Sequence, residues 1–281
     1  MRRTRRTVAC LLVAGLAAAA LVHADPVALQ TTELGQGPAI VFVHGLGRGR
    51  TDWLPTVKRL RDHYRCVLVD LPGHGSSPMP DPFSLEAAAD ALDGVLAKQS
   101  GDSTIVVGQG VGGLLALIAA ATHPGHEAGV VLVDAVVKSP IPVSDQQRDQ
   151  LVQFIDENYV AFTQMAFSKM GRDSAESAQL YAGMAALPPA TVKAYMTKLL
   201  VVDGNRSLKA LHCPAQLVFT ERLWKAGQSW GAAAKSFGLD DTTACGARRI
   251  ADAGMLVMRD QPDTLAAILS GFASQRLAAR K

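Results

Sequence analysis

The stretch Ile105 to Gly113, IVVGQGVGG, carries glycines whose spacing fits two different machines. As Gly108-x-Gly110-x-x-Gly113 closing an apolar run, it is a dinucleotide-binding fingerprint, in which glycines let the backbone approach a pyrophosphate at a helix N-terminus. Asp134 follows about 20 residues later at the end of the next apolar run, where a ribose-binding acid belongs. As Gly-x-Xaa-x-Gly over Gly108 to Gly112, the same residues form a strand-to-helix elbow for acyl transfer, with Gly110 where the nucleophile stands. The first reading gives a nicotinamide-dependent reductase. The second gives a hydrolase site without its serine.

The elements that must position these residues follow from periodicity. Strands are expected at 39–45, 66–73, 103–108, 129–135, 215–220 and 248–254, each an apolar run bounded by Gly, Pro or Asp. Helical spacing fills most of the gaps, as in Trp53-Leu54-Val57-Leu60 and Leu85-Ala88-Leu92-Val95-Leu96, so a mostly parallel, doubly wound α/β sheet is expected. The exception is 138–211, which carries only helical pattern, with Pro189 placed to open its last long helix. A dinucleotide fold normally begins with its fingerprint strand, whereas two strand-turn units precede this one.

Those units are FVHGLGRGRTDW and DLPGHGSS. Together with the elbow, the helical insertion, CPAQLVFTERLW and IADAGMLVMRDQPDTL, their order resembles the α/β-hydrolase family, in the branch of small esterases, epoxide hydrolases and haloperoxidases. The resemblance implies a core of 25–137 and 212–281 with 138–211 as an inserted helical lid, and no cofactor or metal. It also places the nucleophile at Gly110, the acid at Leu223 in Thr220-Glu221-Arg222-Leu223, and the histidine at Met255 in Ala253-Gly254-Met255. Such a triad works as one unit, so its joint replacement implies a changed role. The family's oxyanion donors carry over to the backbone N–H groups of Val111 and Leu46, and a ligand site would add Gly45, Gln109 and Met255. The resemblance is compatible both with an open pocket and with one filled by Leu223 and Met255.

Other residues supply no triad. GQSWG, Gly227 to Gly231, has the elbow spacing but follows ERLWKA instead of a strand. His44 and His74 sit in turns, His123 and His126 in the helix-ending THPGH, and His212 is the last histidine. Asp134 reads as an ordinary strand-end aspartate. The expectation is therefore a non-hydrolytic protein that binds a small apolar carbonyl or carboxylate ligand or acts as an accessory. The alternative is an esterase-like enzyme with rearranged chemistry, using Gln109, Glu221 or a bound water.

Residues 1–24, with MRRTRR before the apolar run Val8 to Val22, have the layout of a secretory signal. The expected destination is periplasmic or secreted, with no stable membrane span after cleavage. The leader holds four arginines and no acid, so its removal takes the net charge from +3 to −1 and leaves no basic footprint for nucleic acid. Cys66, Cys213 and Cys245 remain, and the resemblance makes the strands after Cys213 and Cys245 neighbours, so a disulfide between these two is expected.

Overall fold

The computed structural model describes residues 27–99, 103–138, 144–168, 170–239 and 245–278, so the expected leader lies outside the described residues. In chain order come β1 (Thr31–Leu34), β2 (Ala39–Val43), a 3-10 turn (Arg50–Trp53), α1 (Leu54–Leu60), β3 (Arg65–Val69) and α2 (Leu85–Leu96). Then follow β4 (Thr104–Gln109), α3 (Val111–Thr122) and β5 (Gly129–Val133). Five helices intervene: α4 (Asp145–Glu157), α5 (Tyr159–Phe167), α6 (Ser174–Ala185), α7 (Pro189–Leu199) and α8 (Asn205–Lys209). The chain closes with β6 (Ala215–Thr220), α9 (Trp230–Ser236), β7 (Cys245–Ile250), α10 (Val257–Asp260) and α11 (Pro262–Ala278).

The strands form one sheet in the order β1-β3-β2-β4-β5-β6-β7. Only the β1–β3 pair is antiparallel. The central strands β2, β4, β5 and β6 are buried along their whole length, which explains their unbroken apolar runs: helices cover both faces, so neither face has to be polar. One face packs on α2 and α3, the other on α1 and α11. Helix α3, VGGLLALIAAAT, is buried nearly all round and holds the chain rigid directly after the elbow.

Two strands differ from expectation. β1, TTEL, is a short, half-exposed edge strand, too polar to produce an apolar signal. β7 runs three residues earlier than expected and ends at Ile250, because the chain turns at Asp252, whose φ of 54° cannot continue an extended strand.

The insertion is capped as its sequence directs. Ser144 and Gln147 form a capping box on α4, the Asp173 carboxylate accepts from Glu176 N at the start of α6, and Pro189 opens α7. Its grip on the core is specific. The Tyr195 hydroxyl of α7 donates to Pro72 O at 3.1 Å and its ring lies edge-on to His74 and Phe83. A Cβ on Gly183 would collide with the Gly47 carbonyl, so α6 lies directly on the loop after β2.

The expected disulfide is not formed. Cys245 pairs in register with Ala215, two residues beyond Cys213, and the Cys213 thiol is turned to Glu127 Oε1 at 3.7 Å. Cys66 is buried in β3, where loss of water pushes its thiol up to about 12.

Candidate active site

The elbow joins β4 to α3. Gly110 sits between them at φ 55° and ψ −123°, a conformation that costs a side-chain-bearing residue about 1–3 kcal/mol and glycine almost nothing. Its N–H donates to Val133 O at 2.9 Å, continuing the β4–β5 ladder one step past the Gln109–Val133 pair. That register sets Gly110 and Asp134 at adjacent strand ends.

The flanking glycines are needed for a different reason. A Cβ on Gly108 would strike the Gly112 carbonyl, and one on Gly112 would strike the carbonyls of His44 and Val43. The turn is therefore closed by backbone on backbone. At Gly110 the reverse holds, since an added Cβ would meet nothing closer than Gly45 Cα at 3.9 Å. Room for a side chain exists where none is present.

Above this space lies a cavity of about 370 Å³. Its floor contains Leu46, Gly110, Val111, Leu223 and Met255, and its roof comes from the insertion, with Phe167 of α5 and Met196 of α7. The structure thus brings Gly110, Leu223 and Met255 together at the strand ends, and the space between them is open. Leu46 and Val111 also line it, whereas Gly45 and Gln109 stand behind the wall. The Gln109 side chain lies across Gly45, and its Nε2 donates to Met255 O at 3.4 Å, tying the elbow to the loop after β7.

Three polar residues interrupt the apolar lining: Asp134, Lys138 and Arg222. Asp134 takes a φ of 44°, which turns its carboxylate to the end of β6. There it accepts from Thr220 N at 2.8 Å and from Thr220 Oγ1 at 2.7 Å. Burial raises its carboxyl above the usual range, a shift opposed by Arg222 and the Thr220 donors. Lys138 pairs with Asp203 at 3.3 Å. Arg222 Nη2 approaches Asp134 Oδ2 only to 3.9 Å, and Arg222 Nε is buried with no hydrogen-bond partner among the described residues.

The residues expected to carry rearranged chemistry lie elsewhere. Glu221 is bound to Arg249 at 3.3 Å outside the apolar cavity. GQSWG spans the approach to α9, with Ser229 serving as its N-cap. The histidines near the site are structural. His44 Nε2 accepts from Leu71 N at 3.1 Å and its Nδ1 meets Gly45 O at 2.8 Å. His74 Nε2 accepts from Gly47 N at 3.1 Å, and burial, aided by His44, pushes the ring down to about 4. His123 and His126 pair with Asp90 and Asp93 at the far end of α3. Sequence reasoning passed over Arg222 and Lys138 and dismissed Asp134. The available signal was position: each falls within five residues of the C-terminal end of a central strand, where parallel sheets hold their ligands.

Comparison with known proteins places this geometry. The profile described as "Alpha/beta hydrolase family" matches residues 40–268. A pimeloyl-[acyl-carrier protein] methyl ester esterase of Vibrio cholerae is 32% identical over 192 residues, covering 64% of this chain and 74% of the relative. Its counterpart from Pseudoalteromonas atlantica is 29% identical over 202 residues, covering 66% and 76%. Among solved structures, a thermophilic esterase from Thermogutta terrifontis superposes with a TM-score of 0.71 at 21% identity, over 88% of this chain and 93% of the other. A bromoperoxidase from Bacillus anthracis gives 0.72 at 14% identity, over 88% and 95%, and both likenesses speak to the fold. The matches correct the expectation of a non-hydrolytic binding or accessory protein, because the related sequences are esterases and the family is one of hydrolases. They also remove the nicotinamide reading of Gly108-x-Gly110-x-x-Gly113. The chain belongs to the alpha/beta hydrolase family.

Proposed function

We propose that this protein is an esterase-like hydrolase whose catalytic groups are rearranged, so that a water at the elbow takes the place of a serine hydroxyl. The observation that carries this reading is the open space over Gly110, which keeps elbow backbone angles and faces an apolar cavity. The backbone N–H groups of Leu46 and Val111 stabilise the tetrahedral oxyanion. Asp134 is the base for the water, as the acid among the residues lining the cavity and one whose basicity burial has raised. It takes the water's proton as the oxygen attacks the ester carbonyl. The proton then passes to the departing alkoxide as the tetrahedral adduct collapses to acid and alcohol.

The substrate is a small carboxylic ester with an apolar acyl chain, which suits a lining of Leu, Val, Phe and Met side chains. The relatives act, by their names, on a methyl ester carried by a carrier protein; what transfers is the ester class. An exported location, expected from residues 1–24, favours a free ester over a carrier-bound one. In this reading 138–211 is the lid that excludes bulk water from the site.

Assay of methyl and p-nitrophenyl alkanoates with purified protein tests the proposal. Hydrolysis is expected, and Asp134→Asn, which keeps the shape and an acceptor for Thr220, should lower kcat by a factor of about 10² or more. No turnover of any ester, or an Asp134→Asn variant as active as the parent, refutes it.

A further inference from the structure

A second cavity, of about 480 Å³, adjoins the apolar one. Arg172, Arg222, Lys225 and Arg249 line it, with Glu221 as the acid in its wall, and Arg222 lines both cavities. Two of the four cations are engaged. Arg249 donates to Trp224 O at 2.7 Å and to Glu221 at 3.3 Å, and Arg172 to Asp260 at 3.2 Å with Asp173 at 3.6 Å.

Arg222 has only a long ion pair, its Nη2 3.9 Å from Asp134 Oδ2. Lys225 has no ion-pair partner among the described residues. The Asp134 oxygens that face Arg222 are already held by Thr220, and the 3.9 Å separation exceeds hydrogen-bond reach. A guanidinium with a buried, unanswered Nε–H between an apolar cavity and a cationic one is a costly arrangement for the protein alone. Its planar fork matches a carboxylate or a phosphate, and partial removal from water strengthens such a bond.

We propose that Arg222, assisted by Lys225, binds an anionic group, carboxylate or phosphate, at the far end of an apolar ester whose chain fills the cavity over Gly110. The inference rests on the esterase reading above and narrows its substrates to esters with an anionic tail.

The test compares kcat/KM for monomethyl esters of straight-chain dicarboxylic acids with that for methyl alkanoates of equal length. Methyl esters of phosphate-ended acids form a second arm. The protein is expected to favour the anionic esters at least tenfold, and the preferred arm identifies the anion. Arg222→Met should cut that preference about tenfold, chiefly through KM. Arg222→Lys should retain part of it, and Lys225→Met should reduce it about threefold. Thermal melts identify any variant that fails to fold, in which case the remaining two decide. Equal handling of anionic and neutral esters by the parent protein, or an unchanged preference in the folded variants, overturns the proposal. If no ester is turned over, the esterase reading fails by itself. Calorimetry with suberate and octyl phosphate then judges the anion site: binding that Arg222→Met abolishes supports it, while equal binding by both proteins, or by neither, overturns it.

Discussion

Three glycines of the elbow share a residue type and differ in what they prevent. Gly108 and Gly112 prevent collisions between backbones, whereas Gly110 answers only to its positive φ. Gly112→Ala must therefore push β2 away from α3 and is expected to cost about 3 kcal/mol or more, or to abolish folding. Gly110→Ala pays conformational strain alone, about 1–3 kcal/mol. Urea titrations of the two variants separate the mechanisms, and equal losses would contradict them. The convergence of Gly110, Leu223 and Met255 was legible because each follows a strand within a recognisable phrase. Asp134 and Arg222 were not, since an acid or a cation near a strand end has no distinctive spacing. Their roles come from the neighbours Thr220 and Asp134, 86 and 88 residues apart in sequence from Asp134 and Arg222 respectively.

At the scale of elements, the roof and floor of the site are joined by one buried carboxylate. Glu176 of α6 accepts from Leu256 N through Oε1 at 2.9 Å and from Arg172 N through Oε2, while Gly254 leaves room for it. This fastens α6 to the loop that presents Met255. Glu176→Ala leaves two donors unanswered, and a loss of about 2–3 kcal/mol is expected, with faster hydrogen exchange at Leu256 and in α6 than in α3. Uniform exchange throughout the molecule would argue against such a local clamp. The central strands were readable because both faces are buried, and the helices of 138–211 because of their helical pattern, with Pro189 marking the start of α7. β1 escaped notice because an edge strand held by β3 needs no apolar run of its own.

For the whole molecule, acid stability carries the mark of His74. Its ring is held neutral, with its folded value near 4 against 6.5 in the open chain, so the unfolded state binds the proton first as pH falls. The contribution is complete above pH 6.5 and is lost progressively down to about pH 4, a total of about 3 kcal/mol. Asp70 adds in the same direction at lower pH: burial raises its carboxyl, yet the His44 contact and the Arg50 N–H and guanidinium together hold it below the ordinary value. Melting temperature should thus fall between pH 6.5 and 4, with a shallower slope in His74→Gln, where no proton can be taken up. A slope identical to that of the parent protein would remove His74 as the cause. The free space over Gly110 has a further consequence for the reaction as a whole. A serine elbow stores half of its substrate as a covalent ester and lets water and alcohols compete for it. A glycine elbow stores nothing, so each proposed turnover is a single displacement and the enzyme carries no memory of the ester it last cleaved.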